Sequence, residues 1–438
     1  MEHELENDKR WTEGLDIVHR LEHNGHRAYL VGGCVRDKLL GRPLHDIDIA
    51  TSAKPEEVLG LFSRTLPTGL KHGTVTVMEE GSSFEVTTFR QEGDYTDARR
   101  PDEVSFVLDV KEDLARRDFT FNAMAFGSDG KIVDPFGGQD ALRAGVVQCV
   151  GQPSERFGED ALRMLRAIRF AAEFGFDILP DVWEGIISNR GKLAQVAMER
   201  VSAEWDKMMA GGGPEQACHY LFKSGLLVNV KESLPESFRG AAERYRLNGS
   251  DWHWEEWGAL DSDESSSGNL LYLPLLPDAD LRWAALLIGM GVNGSDTLKL
   301  FRSLRISGKR AERIAAIADF HESLSAYDES TMRHGWIKNT IAHSRSIAED
   351  LLSIREACGE TVFAEREWLT EMSVSSVAEL DVKGDELSRY LGVAPGPWIS
   401  VLLQRLLEEA ASGRIPNDKG SLLSEAKSAM RNMTEERK

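Results

Sequence analysis

The stretch GGCVRDKLLGRPLHDIDIATS, residues 32–52, shows most clearly how this chain is organised. It follows RAYLV (27–31), a strand that runs into the glycine pair. The segment VRDKLLG (35–41) indicates a short helix closed by Gly41, and HDIDIAT (45–51) alternates with period two, as a half-buried strand does. The stretch therefore predicts a strand, a glycine turn, a short helix and a second strand in succession.

Mixed strands and helices extend over roughly the first 145 residues, and helices follow. We predict helices over 11–24 and 54–62, strands over GTVTVM (73–78) and SFEVTTF (83–89), and a last strand and turn in GKIVDPFGG (130–138). After residue 150 almost no alternation remains, and two strong helical patterns cover 158–176 and 198–213. The predicted fold class is α+β, a mixed sheet with helices followed by an all-helical region.

A chain of 438 residues is too long for one ordinary hydrophobic core. We expect a catalytic head over 1–145, a helical neck over 146–210, a helical body over 211–330 and a helical tail over 331–438. No feature of the sequence specifies an oligomeric state.

Charge, apolar stretches and cysteine content limit the classes of protein to which this chain can belong. Lys and Arg number 52 against 72 Asp and Glu, which gives a net charge of −20. Such a surface repels nucleic acid unless a confined basic track holds it. The longest uncharged apolar stretch, WAALLIGMGV (283–292), is too short to span a bilayer, and no signal peptide is visible. Four scattered cysteines suggest neither a disulfide framework nor a zinc site, so we expect a cytoplasmic protein.

Two aspartates in the opening stretch suggest metal chemistry. On a strand, Asp46 and Asp48 share one face, and their like charges repel unless a cation lies between them. Oxygen ligands suit Mg²⁺, which takes phosphate oxygens and waters as its remaining ligands. Glu85, on the strand SFEVTTF, is a candidate third ligand, which favours metal-assisted phosphoryl transfer. The plainer alternative is an exposed strand face.

The glycine pair suggests a phosphate site. At Gly32 and Gly33 no side chain blocks the backbone, so a triphosphate can approach the N–H groups where the helix starts. Arg36, one turn into the helix, can pair with phosphate. A plain tight turn is the alternative, since the stretch is neither a GxxxxGK[ST] loop nor a GxGxxG site.

Several blocks, in order, carry a family resemblance. The opening stretch is followed by RRDFTFNAMAF (116–126), DPFGG (134–138), EDALRMLRAIRF (159–170) and MERVSAEW (198–205). As a set they resemble the nucleotidyltransferase superfamily, in the branch of bacterial tRNA CCA-adding enzymes and poly(A) polymerases. The resemblance covers about the first 205 residues and implies a nucleotidyltransferase-type head; the rest matches only in being helical.

The resemblance also implies roles for several polar residues. It assigns Arg166 and Arg169 to nucleotide binding, although Arg169 faces away from Asp160 on an ideal helix and suits bracing better. We expect Arg117 to meet the triphosphate and Asn122 to meet the ribose hydroxyls. Asp118 is expected to orient an arginine.

Asp160 and Arg163 explain how a protein can select cytosine and adenine. Three apart on a predicted helix, they are neighbours. A carboxylate only accepts hydrogen bonds and a guanidinium only donates them, which matches an amino group beside an unprotonated ring nitrogen. Uracil and guanine present the reverse order and would leave buried polar groups unpaired. An ordinary surface ion pair is the alternative.

The segment EGDYTDARRPDEVSF (92–106) favours a CCA-adding or A-adding enzyme over one that adds only the two cytidines. It predicts a polar loop that, in this branch, enzymes adding only the two cytidines partly lack. Poly(A) polymerases of the branch usually carry an arginine-rich segment where this chain has GLKHGTV (69–75). The acidic net charge also disfavours gripping arbitrary RNA.

The sequence thus predicts a Mg²⁺-dependent nucleotidyltransferase that adds C, C and A to tRNA from CTP and ATP. The acceptor arm of the tRNA is expected on the helical body and tail. Alternatives are an A-adding enzyme that follows a separate CC-adding partner, a poly(A) polymerase, a non-catalytic RNA-binding relative, and a metal phosphohydrolase suggested by the pair His45-Asp46.

Overall fold

The computed structural model describes residues 9–79, 81–92, 104–247 and 270–435. The chain divides into two compact units, residues 1–233 and 234–438. The first unit contains a mixed sheet with helices, and the described part of the second is helical. This agrees with the predicted α+β class, while the finer division into head, neck, body and tail stays a prediction.

A seven-stranded sheet organises the first unit, with strand order β3-β4-β5-β2-β1-β8-β9 in the described residues. Neighbouring strands are antiparallel except β2 and β5, which run parallel. Two small two-stranded sheets pair β6 with β7 and β10 with β11. The strands are β1 (Ala28–Val31), β2 (Asp48–Thr51), β3 (Thr65–Gly69), β4 (Thr74–Glu79), β5 (Ser82–Thr88), β6 (Arg90–Glu92), β7 (Val104–Phe106), β8 (Ala125–Phe126), β9 (Ile132–Val133), β10 (Val146–Val147) and β11 (Asp177–Ile178).

Helices of the first unit lie before, between and after these strands along the chain. The core against the sheet includes Ile47 and Ile49 of the opening stretch, Leu30 of β1 and Val86 of β5, all buried. The helices are α1 (Lys9–His23), α2 (Gly33–Leu39), α3 (Pro55–Leu61), α4 (Val110–Ala115), α5 (Gly138–Ala144), α6 (Pro153–Glu159), α7 (Leu162–Phe174), α8 (Pro180–Asn189), α9 (Met198–Ala210) and α10 (Pro214–Ser224).

The second unit packs helices around large aromatic side chains. Trp283, Phe301, Phe320 and Trp336 are fully buried there. None of the helices in the described ranges combines the length and the apolar character needed to cross a membrane. The helices are α11 (Glu236–Leu247), α12 (Ala279–Gly289), α13 (Gly294–Ser303), α14 (Gly308–Leu324), α15 (Met332–His343), α16 (Arg345–Ala357), α17 (Phe363–Glu371), α18 (Gly384–Leu391), α19 (Trp398–Ala411) and α20 (Lys419–Glu435).

Two local predictions were wrong. The strand predicted over 45–51 begins only at Asp48, so Asp46 lies in the segment before β2. The helix predicted over 158–176 is two helices, because α6 ends at Glu159 and Asp160 has extended backbone angles, φ −139° and ψ 104°. Asp160 and Arg163 are therefore not i, i+3 neighbours on one helix.

Candidate nucleotide and metal site

Two other carboxylates lie near Asp48 at the start of β2. Asp48 opens the strand and is paired in register with Glu85 on the parallel strand β5. Asp46 is exposed two residues earlier, while Ile47 and Ile49 between and after the aspartates are buried. The buried isoleucines hold both aspartates on the less buried side of the chain, as the alternation predicted.

The electrostatics of this cluster favour a cation. Burial raises the pKa of Asp48, and the neighbouring carboxylates of Glu85 and Asp46 raise it further, whereas Arg117 opposes them. In the described part of the chain, no three His, Cys, Asp or Glu side chains converge closely enough to hold a metal ion. Two carboxylates with phosphate oxygens and waters fit the ligand preference of Mg²⁺. The role of Glu85 as a third ligand stays a prediction.

The glycine turn brings Arg117 close to these carboxylates. Gly32 has φ 75° and ψ −125°, a conformation that residues with a side chain rarely adopt. A Cβ on Gly32 would collide with the Arg117 guanidinium, which donates to the backbone oxygen of Asn122 at 3.3 Å. Because α2, which begins at Gly33, is only seven residues long, Arg117 is the stronger source of positive charge for a phosphate here.

Arg36 and Asn122 are engaged inside the protein. Arg36 is buried and donates to Asp37 at 2.9 Å and to Oδ1 of Asn122 at 2.6 Å. Nδ2 of Asn122 in turn donates to Asp118 at 3.1 Å. The contacts favour a positioning role for both residues, while their predicted contacts with phosphate and ribose stay predictions.

Asp118 orients an arginine, as predicted. It accepts a hydrogen bond from Nε of Arg166 at 2.7 Å. Burial alone would raise the pKa of Asp118, but the charges of Arg166 and Arg163 and the hydrogen bond from Asn122 hold it well below its usual range. Asp118 is therefore a permanent anion at neutral pH that fixes α7 against the block 116–126.

Arg169 is held by carboxylates on two helices. Its Nε donates to Glu204 on α9 at 2.7 Å, and its Nη1 lies 2.8 Å from Glu173. Nη1 of Arg166 also faces Glu204, at 4.0 Å. These contacts fit the bracing that ideal helix geometry predicted for Arg169, and its assignment to nucleotide binding stays a prediction.

Asp160 and Arg163 are each held by a different partner. Asp160 lies between α6 and α7, where it accepts from the backbone N–H of Leu162 at 3.0 Å and from Arg200 at 2.7 Å. Arg163 is buried and contacts Glu159 and the backbone oxygen of Arg116, the latter at 3.1 Å. Both side chains are thus pre-oriented, although their interaction with a base stays a prediction.

Sequence reasoning missed Arg200 and Glu204 as parts of the site. Both lie on α9, four residues apart, so they project from the same face. Glu204 is buried, and Arg169 and Arg166 lower its pKa although burial would raise it. The available signal in MERVSAEW was an acidic residue one helical turn after a basic one. The predicted polar loop falls largely on 93–103, outside the described residues.

Comparison with known proteins identifies the family of the chain. Residues 28–148 match the family model "Poly A polymerase head domain", and 276–426 match the tRNA nucleotidyltransferase domain 2 model. Residues 175–236 match "Probable RNA and SrmB- binding site of polymerase A". A CCA-adding enzyme of Geobacillus stearothermophilus is 34% identical, covering 93% of this chain and 95% of the relative. The chain belongs to the CCA-adding enzyme family.

Other members of the CCA-adding enzyme family also match nearly the whole chain. The enzyme of Bacillus subtilis is 35% identical over 94% of this chain and 96% of its own length. The crystal structure of the Bacillus stearothermophilus CCA-adding enzyme in complex with CTP superposes with a TM-score of 0.78 and 31% identity, covering 98% of this chain and 99% of that one. A Thermotoga maritima CCA-adding enzyme complexed with tRNA shares the fold, with a TM-score of 0.64, 19% identity and coverage of 97% and 96%.

Proposed function

We propose that this chain adds C, C and A to the 3′ end of tRNA from CTP and ATP, without a nucleic-acid template. The 3′ hydroxyl attacks the α-phosphate of each nucleotide and pyrophosphate leaves. The observation that carries the proposal is the register of Asp48 with Glu85 beside the Gly32 turn and Arg117, in the unit that also holds Asp160.

Asp46 and Asp48 are the residues that would hold Mg²⁺. When bound, the ion supplies charge that stabilises the phosphoryl-transfer transition state and lowers the pKa of the attacking hydroxyl. Ile47 and Ile49 keep the two carboxylates on one side, and Arg117 offers a guanidinium to the triphosphate. Glu85 adds negative charge next to Asp48, which strengthens the preference for a cation.

Asp160 and Arg163 would select the nucleotide. Oδ1 of Asp160 accepts from Leu162 and Arg200, whereas Oδ2 accepts from Arg200 alone and keeps a further lone pair for the amino group of cytosine or adenine. The contacts of Arg163 with Glu159 and the Arg116 carbonyl fix its guanidinium for donation to a ring nitrogen. Because both groups are held before a base arrives, little entropy is lost when they bind it.

The helical regions would hold the acceptor arm of the tRNA by shape and phosphate contacts. The solved structure of the Thermotoga maritima relative is a complex with tRNA, and the RNA-binding family model covers 175–236 of this chain. A cytoplasmic location fits a substrate of this class.

Labelled nucleotides test the reaction class. Purified chain is incubated with a tRNA transcript that lacks CCA and with all nucleoside triphosphates together. In each reaction a different one of them carries an α-phosphate label, and parallel reactions omit Mg²⁺. We expect label from CTP and ATP in the tRNA, equimolar pyrophosphate and no turnover without divalent metal. Release of inorganic phosphate with no label in RNA would instead indicate a hydrolase and overturn the proposal.

A further inference from the structure

Two stacked phenylalanines on α7 join that helix to the sheet region. Phe170 and Phe174 lie with ring centroids 5.6 Å apart and planes 14° apart. Phe121, from the block 116–126, meets both edge-on, at 5.4 and 6.2 Å. Phe119 contacts Phe170 in the same way at 5.7 Å. The cluster is a rigid apolar joint between α7 and the catalytic region.

Arginines cover this joint. The Arg36 guanidinium lies 5.1 Å from the centroid of Phe170 and 4.9 Å from that of Phe174. Arg42 lies 4.9 Å from the centroid of Phe174, and Arg169 lies 4.0 Å from that of Phe170. Such cation–π contacts hold the guanidinium groups over the rings.

Two chains of polar contacts run from α7, one to α2 and the other to the segment just after α2. One branch runs from Arg166 through Asp118 and Asn122 to Arg36, inside α2. The other runs from Arg169 to Glu173 at 2.8 Å and from Glu173 to Arg42 at 3.0 Å. Arg42 lies just beyond the end of α2 and four residues before Asp46.

The second branch ends on the segment that leads to the metal site. The backbone N–H of Arg42 donates to the carbonyl of Asp37 at 2.8 Å, and the next residue is Pro43, whose ring fixes φ. Arg10 of α1 donates to the His45 carbonyl and anchors the other end of the segment. Within the described segment 42–46, Arg42 is thus the residue that contacts α7, through the ion pair with Glu173 and the ring of Phe174.

We propose that Glu173 and Arg42 form a positioning link that couples α7 to the position of Asp46. The proposal rests on the proposed function, because it matters only if Asp46 serves nucleotidyl transfer. A shift of α7 is transmitted through Glu173 to Arg42 and, through the stiff Pro43 step, to the carboxylate of Asp46. Nucleotide selection and catalytic geometry are thereby linked.

The exposure of this pair separates positioning from simple stabilisation. The Arg42 side chain is 40% exposed and that of Glu173 26%, and ion pairs exposed to that degree contribute little to folding. Removing the pair should therefore leave the fold intact. A displacement of about 1 Å at a reacting group, in contrast, can cost orders of magnitude in rate.

The test uses Arg42→Gln, Glu173→Gln and the double variant in single C addition to tRNA. We expect kcat to fall about tenfold in each, with KM for CTP changed less than about twofold and the Mg²⁺ concentration for half-maximal rate raised. Because the coupling runs through the contact that the two residues share, the loss of rate in the double variant should be well below the product of the two single losses. Glu173→Asp should recover part of the rate.

Arg143→Gln is the matched control. Arg143 pairs with Asp140 on the exposed surface of the same unit, where the two side chains are 71% and 79% exposed, and we expect wild-type kinetics. Wild-type kcat and Mg²⁺ dependence in Glu173→Gln would overturn the positioning link, as would additive losses in the double variant. Failure of the wild-type chain to add C would instead overturn the proposed function.

Discussion

Charge repulsion is the main clue at the scale of single residues. Asp46, Asp48 and Glu85 place like charges side by side where Arg117 is the cation whose charge opposes them. Folding alone gains nothing from such a cluster, because like charges beside one another destabilise the sheet. A site that receives a divalent cation with the triphosphate removes this repulsion when the substrate binds.

Asp46→Ala tests the metal-binding role. Asp46 is exposed, so the fold should tolerate the change, while loss of a metal ligand should lower kcat by about 1,000-fold or more. Addition of labelled CTP to tRNA measures the rate, and a filter-binding assay measures tRNA affinity, which should not change. Asp129→Ala, an exposed aspartate of the same unit, is the control. Turnover at the wild-type rate would remove Asp46 from the metal site.

Asp160→Ala tests nucleotide selection. Without the carboxylate, the amino group of cytosine or adenine loses its acceptor and the carbonyl of uracil is no longer rejected. We expect discrimination between CTP and UTP to fall by about 100-fold, which single-nucleotide incorporation kinetics measure as a ratio of kcat/KM values.

Arg200→Ala distinguishes the effect of losing the Asp160 carboxylate from the effect of losing its fixed orientation. Arg200→Ala leaves the Asp160 carboxylate present but frees it from its bidentate partner. A smaller loss of discrimination than in Asp160→Ala is expected. Full C and A selectivity in Asp160→Ala would refute the hydrogen-bonding account of selection.

At the scale of elements, the packing of α7 depends on a permanently charged Asp118. The pKa of this buried carboxyl is held below its usual range, so the anion contributes stability above the unfolded pKa of about 4. This contribution is lost as pH falls from there through the lower folded pKa. Asp118 and Arg166 thus fix α7 at neutral pH.

Asp118→Asn should lower the free energy of unfolding by about 3 kcal/mol at pH 7, because Arg166 is left without its closest anionic partner. The difference from wild type should be constant between about pH 7 and pH 5 and shrink below about pH 4. Urea denaturation of the full chain at a series of pH values measures it. Asp140→Asn, an exposed change, serves as the control. A difference that grows on acidification would contradict this account.

The break between α6 and α7 shows where periodicity fails as a predictor. The helical spacing of EDALRMLRAIRF continues across Asp160, so the pattern predicted one helix. The extended conformation of Asp160 is stabilised by Arg200, 40 residues away, and by the N–H of Leu162. The spacing of apolar residues does not reveal that the Asp160 side chain accepts from a backbone N–H at the start of α7.

Contacts with residues distant in sequence also explain why the strand was predicted to include Asp46. The period-two pattern of HDIDIAT sets which side chains are buried, and Ile47 and Ile49 are buried as it requires. Strand pairing, however, begins at Asp48, opposite Val31 on β1. The sequence therefore predicted the facing of the carboxylates correctly and the start of the strand wrongly, since pairing depends on the partner strand.

At the scale of the whole molecule, the α+β architecture and the family were predictable from motif order. The blocks from 32–52 to 198–205 lie in one compact unit, residues 1–233, in agreement with their use as one set. The sequence of the second unit shows only helical periodicity, so the tRNA contacts predicted for the body and tail could not be assigned to residues. In a chain with a net charge of −20, those contacts require local basic surfaces.

The most direct test of the account asks whether this one chain completes the whole CCA end. Two tRNA transcripts, one ending at the discriminator base and one already carrying CC, are incubated with the chain, Mg²⁺, CTP and ATP, and product lengths are read on a sequencing gel. We predict three added nucleotides on the first transcript and one on the second. Addition of A to the second, with no extension of the first, would contradict the account and make the chain the A-adding half of a two-enzyme system.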